Sequence, residues 1–282
     1  MTLPTGFDLD DFVQRVLAED LGAGGDVTSN ATIGAGARFT AEMNARQPIV
    51  LAGIEITAAF FRSLDRDVAI EQLANDGDRV DSGGAILRLS GNAQAMLTAE
   101  RSALNTLQHL SGIATLTRQY VDAIAGTGAV LLDTRKTIPG LRVLEKYAAR
   151  MGGAQNHRMR LDDGVLIKDN HVAVCGGVAE AVRKAKAANT GLQVQVEVDR
   201  IEQIEPALGA GADRLLLDNM PPAVLREAVT LVRGRVPLEA SGGVNLDTIR
   251  AIAESGVDFI SVGRITQSAP AVDIGLDYAM SR

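Results

Sequence analysis

The stretch VQVEVDRIEQIEPALGAGADRLLLDNM, residues 194–220, contains two short apolar runs separated by a segment long enough for a helix. The runs VQVEV (194–198) and RLLLD (214–218) have the length and the valine- or leucine-rich composition of buried strands. Apolar strands that alternate with helices are typical of parallel β/α units, in which helices cover the sheet. This stretch therefore predicts one unit of a parallel β/α fold.

The same alternation of strand, loop and helix continues through the second part of the chain, after Gly126. The predicted strands are AVLLD (129–133), GVLIK (164–168), VQVEV (194–198), RLLLD (214–218), VPLEA (236–240) and DFISV (258–262). Helical segments are predicted between them, for example at 178–188 and 246–255. Six such strands leave two architectures open, a β/α barrel and an open doubly wound sheet.

Residues 1–125 lack this alternation and predict a separate α/β region. An amphipathic first helix is predicted with Asp8 as its N-cap. The apolar positions that share one face of this helix are Leu9, Phe12, Val13, Val16 and Leu17. A strand at 37–45 follows, and an apolar stripe predicts a long helix from Leu97 to Ile124. The segment 76–91 resembles a biotin- or lipoate-carrying sandwich, but this half of the chain has no lysine to serve as acceptor.

Composition excludes several classes of function. The 282 residues are 46% hydrophobic and 22% charged, and no apolar run approaches the length of a membrane span. Because the net charge is −7 and no basic run occurs, nucleic acid is not expected as the main partner. Cys175 is the only cysteine, so no intrachain disulfide can form, and it is predicted to be structural. These features, with an acidic N-terminus that lacks a signal pattern, predict a cytoplasmic protein.

Almost every predicted strand ends in an ionisable side chain. These ends are Asp133–Lys136, Lys168–Asp169, Glu197, Asp218–Asn219, Glu239–Ser241 and Val262–Arg264. A single ending of this kind often means only a solvated turn. In a β/α barrel, however, the carboxyl ends of the strands share one rim, and catalytic groups gather there. The coincidence across strands therefore favours one anion-binding mouth.

The types of residue at these ends indicate which anions would bind. Glycine turns at Ser241–Val244 and at Gly263 follow the last two strands, where many barrels bind phosphate. Lys136 and Lys168 suit phosphate as point charges, whereas arginine side chains match carboxylates. The loop that enters the second strand supplies three more candidate cations, His157, Arg158 and Arg160. Glu197 and Asp218 could accept hydrogen bonds from sugar hydroxyls or help to hold Mg²⁺ through water.

The remaining histidines give no metal motif. His157 and His171 do not have the spacing of a zinc site. His109 lies within the predicted long helix, where a packed or capping role is expected. Lys184 and Lys186 are expected on a solvated helix face.

Long motifs in both parts of the chain resemble the quinolinate phosphoribosyltransferase family. They are EDLGAGGDVTS (19–29), ERSALNTLQHLSGIAT (100–115), DTRKTIPGLRVLEKYA (133–148), GGAQNHRMRLDDGVLIKDNH (152–171), VEVD (196–199), LLLDNM (215–220), EASGGV (239–244) and ISVGRIT (260–266). The resemblance implies an N-terminal α/β sandwich, residues 1–112 with 270–282 returning to it, and an incomplete TIM-like β/α barrel, residues 113–269. This is the type II phosphoribosyltransferase fold. It also implies a homodimer whose active site is shared between subunits, with a hexamer as a further assembly.

The resemblance further implies a role for each candidate residue. Arg101 of the partner subunit would join Arg135, His157 and Arg158 around the two carboxylates of quinolinate. Lys136 and Lys168 would serve the anionic groups of phosphoribosyl pyrophosphate (PRPP). Glu197 and Asp218 would contact the ribose hydroxyls and Mg²⁺, and Thr134 would contact substrate. The residues implied for the 5-phosphate are Ser241, Gly242, Gly243, Val262, Gly263 and Arg264. Many relatives have a small residue where Arg264 stands, so only its backbone role is implied.

The implied activity is transfer of phosphoribosyl from PRPP to quinolinate with decarboxylation, in the synthesis of NAD. The implied catalytic residues are Lys136, Lys168, Glu197 and Asp218. Three alternatives stay open at this stage. They are a Schiff-base aldolase with Lys168 as nucleophile, a related protein that acts in metal-cofactor uptake, and a non-catalytic nucleotide sensor.

Overall fold

The computed structural model describes residues 6–278 of the chain, which form two compact units. Of the described residues, the first unit contains 6–116, 143–152 and 269–278. The second contains residues 117–142 and 153–268. Segment 143–152 differs most from the division expected from the sequence. Its grouping with the first unit has a physical basis, because Tyr147 donates a hydrogen bond to Asp76 and Glu145 contacts His109.

The first unit contains an antiparallel sheet and a short strand pair. Its strands are β1 (Arg38–Ala45), β2 (Ile49–Val50), β3 (Ala69–Gln72), β4 (Arg79–Val80), β5 (Ala85–Asn92) and β12 (Ile274–Tyr278). The sheet order is β12-β1-β5-β3, and β2 pairs with β4. Alternate residues of β1, namely Ala41, Met43 and Ala45, are fully buried, as the alternating sequence 37–45 predicts. β12 comes from the C-terminal segment and pairs with β1.

Five helices begin in the first part of the chain: α1 (Leu9–Leu21), α2 (Val27–Thr32), α3 (Ile54–Leu64), α4 (Ala93–Ala123) and α5 (Arg142–Met151). The predicted N-cap of α1 is confirmed, because an Asp8 carboxylate oxygen accepts a hydrogen bond from the Asp11 backbone at 2.9 Å. The predicted start of α4 at Leu97 is wrong. The side chain of Asn92 accepts a hydrogen bond from the Ala95 backbone at 3.0 Å, and this cap starts the helix one turn earlier.

The second unit contains six parallel strands. They are β6 (Val130–Leu132), β7 (Val165–Ile167), β8 (Val194–Val198), β9 (Arg214–Asp218), β10 (Leu238–Ser241) and β11 (Phe259–Ser261). Their order is β6-β11-β10-β9-β8-β7, so the first strand pairs with the last and the others follow in chain order. This order belongs to a barrel and excludes an open doubly wound sheet. Within residues 6–278 no ladder joins β6 to β7, so the barrel is incomplete.

Helices follow the strands as the alternation predicts. They are α6 (Asp169–Cys175), α7 (Val178–Ala187), α8 (Ile204–Gly209), α9 (Pro222–Val232), α10 (Ile249–Ala253) and α11 (Arg264–Gln267), with a 3-10 turn at Ile201–Gln203. The helix predicted at 246–255 is shorter than expected at its start. Asn245 accepts hydrogen bonds from the backbone of Asp247 and Thr248, and this turn occupies the residues that were predicted as its first turn. Among the described residues, none of the helices has the length and apolar character to cross a bilayer.

The two faces of the barrel strands differ in polarity. On β8 and β9, alternate residues such as Val196 and Leu215 are buried, as expected for the face that helices cover. The opposite face carries mostly polar side chains. They are Gln195 and Glu197 on β8, Arg214 and Asp218 on β9, and Glu239 and Ser241 on β10. The inward-facing side chains of the barrel can therefore form hydrogen bonds and ion pairs with a polar ligand.

Candidate active site

A cavity of about 710 Å³ lies at the carboxyl ends of the six barrel strands. Every predicted site residue except Arg101 lines it. These residues are Thr134, Arg135, Lys136, His157, Arg158, Lys168, Glu197, Asp218, Ser241, Gly242, Gly243, Val262, Gly263 and Arg264. The strand ends therefore meet at one mouth, which is the geometric condition for a shared site.

Lys136 is held by the loop that follows β6. Its backbone N–H donates to the hydroxyl of Thr134 at 3.0 Å, and its carbonyl accepts from the hydroxyl of Thr266 at 2.8 Å. A Cβ atom at Gly263 would lie 2.7 Å from Cδ of Lys136. Gly263 therefore lets the lysine stem lie directly against the loop after β11.

Lys168 and two carboxylates line the neighbouring part of the mouth. The ammonium group of Lys168 lies 3.5 Å from Oε2 of Glu197, and Lys168 is also the residue from which α6 begins. Burial raises the pKa of Asp218, although a hydrogen bond from Asn219 at 2.6 Å and the charge of Lys168 oppose that shift. The two carboxylates stand at the ends of adjacent strands, so one ligand can contact both.

The loop after β10 brings backbone close to Asn219. Gly242 has φ 90° and Gly243 has φ 62°, values that favour glycine. A Cβ atom at Gly242 would lie 2.2 Å from the side-chain oxygen of Asn219 and 2.9 Å from its backbone nitrogen. That nitrogen donates a hydrogen bond to the carbonyl of Ser241 at 2.8 Å. A side chain at position 242 is therefore excluded by both backbone angle and space.

Two arginines form the cationic side of the cavity. Burial lowers the pKa of the Arg158 guanidinium, and the nearby positive charge of Arg135 lowers it further. One guanidinium nitrogen of Arg158 donates to the carbonyl of Gly164 at 2.8 Å. Nε of Arg135 is buried and has no hydrogen-bond partner among the described residues. Two partly desolvated like charges with an unused donor would be stabilised by an anion between them.

His157 is fixed from three directions. Its backbone N–H donates to Oδ1 of Asp133 at 2.8 Å, and Asp133 is fully buried. Its Nδ1 accepts a hydrogen bond from the backbone of Arg158 at 2.8 Å. Its Nε2 lies 3.4 Å from Oε2 of Glu239. The imidazole therefore has a defined orientation at the wall of the cavity.

Glu239 corrects one expectation, because the sequence pattern placed it among the rim residues. Glu239 is the second residue of β10, is fully buried inside the barrel and lines the floor of the cavity. Burial acts to raise the pKa of Glu239, but the hydrogen bond with His157 and the charge of Arg214 outweigh it and lower the pKa. The alternation within VPLEA, read with the inward positions of the neighbouring strands, is the signal that could have identified this site residue.

The other candidates lie outside the cavity. Arg101 is exposed on α4, within the first unit. Arg160 is 71% exposed and pairs with Asp162, so it is a surface residue. His109 packs with Nε2 at 3.0 Å from the fully buried carboxylate of Glu145, which confirms a packed histidine. Cys175 is only partly buried, at the end of α6.

A divalent cation in the cavity would need oxygen ligands from the protein. No group of three or more His, Cys, Asp or Glu side chains capable of holding a metal occurs among the described residues. Glu197 and Asp218 are two of the carboxylates that line the cavity, and they stand on adjacent strands. Mg²⁺ is commonly bound by one or two carboxylates, with water and substrate phosphate completing its shell. The residues therefore fit Mg²⁺ that arrives with a phosphorylated substrate, and they do not form a protein-only cage.

Fold and site together define a class: β/α-barrel enzymes that bind a carboxylated and a phosphorylated ligand in one mouth. Residues 26–111 match the model of the N-terminal domain of quinolinate phosphoribosyl transferase, and residues 113–277 match that of its C-terminal domain. The chain therefore belongs to the quinolinate phosphoribosyl transferase family.

Individual relatives give the same result. The chain is 44% identical, over 95% of its length and 96% of the relative, to nicotinate-nucleotide pyrophosphorylase (carboxylating) of Mycobacterium leprae. It is 40% identical to the chloroplastic protein of that name from Arabidopsis thaliana, over 96% of this chain and 82% of the relative. The solved nicotinate-nucleotide pyrophosphorylase of Francisella tularensis superposes with a TM-score of 0.93 at 40% identity, covering 99% of this chain and 100% of that one.

Proposed function

We propose that this protein transfers the phosphoribosyl group of PRPP to quinolinate and removes one carboxylate. The products are nicotinate mononucleotide, pyrophosphate and CO₂, an activity that supplies NAD biosynthesis. The observation that carries the proposal is a single cavity whose lining includes Arg135 and Arg158, Lys136 and Lys168, Glu197 and Asp218, and the glycine turn after β10. Each group matches one part of the two substrates, and the family membership of the chain supports the same assignment.

The quinolinate end is assigned to Arg135, His157 and Arg158. Both guanidinium groups are partly buried, and the positive charge of Arg135 lies close enough to lower the pKa of Arg158. A planar dicarboxylate would neutralise this repulsion and satisfy the unused Nε donor of Arg135. Binding energy at this end would hold the pyridine nitrogen against the sugar, which is a positioning contribution to catalysis.

The PRPP end is assigned to the lysines, the carboxylates and the glycine loops. Glu197 and Asp218 would accept hydrogen bonds from the ribose hydroxyls, since both line the cavity from adjacent strands. Lys136 and Lys168 would face the anionic groups of PRPP, and Thr134 beside Lys136 adds a hydroxyl contact. The 5-phosphate is assigned to the backbone of two loops, Ser241–Gly243 and Val262–Arg264, which follow the last two strands.

The chemistry needs no enzyme nucleophile. The pyridine nitrogen forms a bond to the anomeric carbon of the ribose as the bond from that carbon to pyrophosphate breaks. The leaving electrons stay on pyrophosphate, whose charge Lys136 and Lys168 would stabilise. The cationic ring then accepts the electron pair released when the adjacent carboxylate leaves as CO₂, and a proton replaces it. Mg²⁺, held through water by Glu197 and Asp218, would add charge stabilisation at the pyrophosphate when bound.

We also propose a cytoplasmic homodimer in which Arg101 of one protomer completes the partner's quinolinate site, with a hexamer as a higher assembly. The support is that Arg101 is exposed and lies in the family motif ERSALNTLQHLSGIAT. A mixing experiment tests it, because Arg101→Ala and Arg158→Ala inactivate different halves of a shared site. Mixed, re-formed dimers would regain part of the activity if the site is shared and none if each chain works alone.

The direct test is purified protein with quinolinate, PRPP and Mg²⁺, followed by measurement of CO₂ and nicotinate mononucleotide. We expect Arg158→Ala to weaken quinolinate binding by about 2–4 kcal/mol, as for a lost buried charged contact. Arg160→Ala is the matched control, since Arg160 lies in the same loop but is exposed. Equal quinolinate affinity in both variants would refute the assignment of Arg158.

The aldolase alternative has less support. A Schiff-base lysine is usually desolvated, whereas Lys168 is 53% exposed and ion-paired with Glu197. Treatment with borohydride and a carbonyl substrate would trap an adduct on Lys168 if that activity existed. Absence of turnover with quinolinate and PRPP would instead leave the sensor and metal-cofactor alternatives.

A further inference from the structure

A buried carboxylate lies beneath the cavity, where barrel interiors are usually filled by bulky apolar side chains. Glu239 is fully buried, and its Oε2 is the common partner of three groups. Nε2 of Gln195 donates to it at 2.8 Å, a guanidinium nitrogen of Arg214 lies at 2.8 Å, and Nε2 of His157 lies at 3.4 Å. Arg214 is itself largely buried and stacks 3.9 Å from the ring centroid of Phe259.

The contacts of His157 determine which ring nitrogen carries hydrogen. Nδ1 accepts a hydrogen bond from the backbone N–H of Arg158, so Nδ1 must present its lone pair. In the neutral ring the hydrogen is then on Nε2, which faces Glu239. The orientation of the ring is therefore defined at one end by the Arg158 backbone and at the other by the Glu239 carboxylate.

We propose that Glu239 is a positioning residue that acts through His157. By accepting the Nε2–H, it fixes the tautomer and the ring plane of His157. The fixed ring in turn holds the backbone at Arg158, so that the imidazole and the guanidinium meet the dicarboxylate substrate together. This inference rests on the proposed function, because it concerns the quinolinate end of that site.

Two roles of Glu239 can be separated by substitution. Pairing with Arg214 compensates a buried charge and is a matter of stability. Acceptance of the His157 hydrogen bond is the positioning role, and a neutral acceptor suffices for it. Oε1 of Glu239 has no hydrogen-bond partner among the described residues. In Glu239→Gln, the amide oxygen can therefore take the place of Oε2 while its NH₂ group occupies the position of Oε1.

The test compares Glu239→Gln with Glu239→Met and with the double variant Glu239→Met/Arg214→Met. The single Met variant leaves the buried charge of Arg214 without a partner and can fail to fold, whereas the double variant removes both charges. We expect Glu239→Gln to bind quinolinate within about threefold of the unsubstituted protein. In the Met variants the quinolinate dissociation constant should rise about tenfold, while the KM for PRPP changes less than about twofold. Ser255→Ala, a buried substitution of the same unit away from the cavity, is the stability control.

A spectroscopic readout makes the test independent of turnover. The chain has three histidines, so long-range ¹H–¹⁵N spectra of labelled protein can resolve each ring tautomer. We expect the Nε2–H tautomer of His157 in the unsubstituted protein and in Glu239→Gln, and loss of a single tautomer in the Met variants. An Nδ1–H tautomer in the unsubstituted protein would overturn the inference. So would unchanged quinolinate affinity in the double variant, or equal changes for both substrates.

The same set of proteins separates this inference from the proposed function. If the unsubstituted protein binds quinolinate but yields no nicotinate mononucleotide with PRPP, the proposed function fails and the positioning role is still tested by affinity and tautomer. If turnover occurs and the Met variants keep the quinolinate affinity of the unsubstituted protein, only the positioning role fails.

Discussion

Gly242→Ala is the substitution whose effect on the site can be worked out most fully from the geometry. The added Cβ would lie 2.2 Å from the side-chain oxygen of Asn219 and 2.9 Å from its backbone nitrogen. The side-chain amide of Asn219 must therefore move away by about 1 Å to reach an ordinary van der Waals distance. Since that amide donates to Asp218 at 2.6 Å, the movement removes the hydrogen bond that orients the carboxylate.

Gly243→Ala provides the matched control. Both glycines have positive φ, 90° and 62°, so an alanine at either position adds backbone strain of about 1–2 kcal/mol. A Cβ at Gly243 meets nothing within 4 Å, so the control carries the strain without the collision. The difference between the variants isolates the contact of position 242 with Asn219.

The expected magnitude follows from the lost bond. A hydrogen bond to a charged group contributes about 1.5–3 kcal/mol, which corresponds to a rise of about 10- to 100-fold in the KM for PRPP. Gly243→Ala should lower the melting temperature, and its loop strain can itself weaken the 5-phosphate contact, so the effect of the collision is the excess of the KM of Gly242→Ala over that of Gly243→Ala. The assay is steady-state formation of nicotinate mononucleotide at saturating quinolinate, with thermal unfolding measured in parallel. If the two variants had the same KM for PRPP, the close contact at position 242 would have no functional role.

Three further outcomes are expected. Glu197→Gln should weaken PRPP binding about tenfold and leave quinolinate binding unchanged, because every contact assigned to Glu197 lies at the PRPP end of the site; isothermal calorimetry with each substrate checks this. Burial raises the pKa of Asp218, so the folded protein holds the carboxyl proton more tightly than the unfolded chain does. As the pH rises from the unfolded pKa to the folded pKa, ionisation of Asp218 therefore lowers the free energy of unfolding. Asp218→Asn should therefore raise the melting temperature at neutral pH but not below the ordinary pKa of 3.8, and a gain of equal size at both pH values would contradict this reasoning. Tyr147→Phe removes the hydrogen bond to Asp76, which also caps the start of α3, and should cost about 1.5–3 kcal/mol of unfolding free energy in a denaturant titration.

The barrel could be predicted from the sequence because its signals are local. All six predicted strands are present, and no strand end differs from its predicted position by more than two residues, since a short apolar run between helices has few other structures open to it. The sequence does not distinguish a barrel from an open sheet. That distinction depends on β6 pairing with β11, a contact between residues far apart in the chain that no local pattern encodes.

Some of the site residues could be predicted from the sequence for the same reason. Strand-end residues such as Lys168 and Asp218 follow directly from the strand assignment, and they line one cavity in the structure. The partners of Glu239 could not be predicted, because they depend on which strands and loops become neighbours inside the barrel. Its partners Gln195, Arg214 and His157 come from three separate segments.

The burial of charge at this site has a thermodynamic consequence. Arg158 has a pKa lowered by burial and by Arg135, and Asp218 has a pKa raised by burial, so both ionised groups destabilise the folded protein in its unliganded form. The apolar outer faces of the barrel strands, with Val196 and Leu215 fully buried, offset this cost. A substrate that supplies the opposite charges relieves the cost only in the folded state, so substrate binding and folding are linked. Part of the intrinsic attraction between cavity and substrate thus comes from charges that the fold holds apart from water and leaves incompletely neutralised.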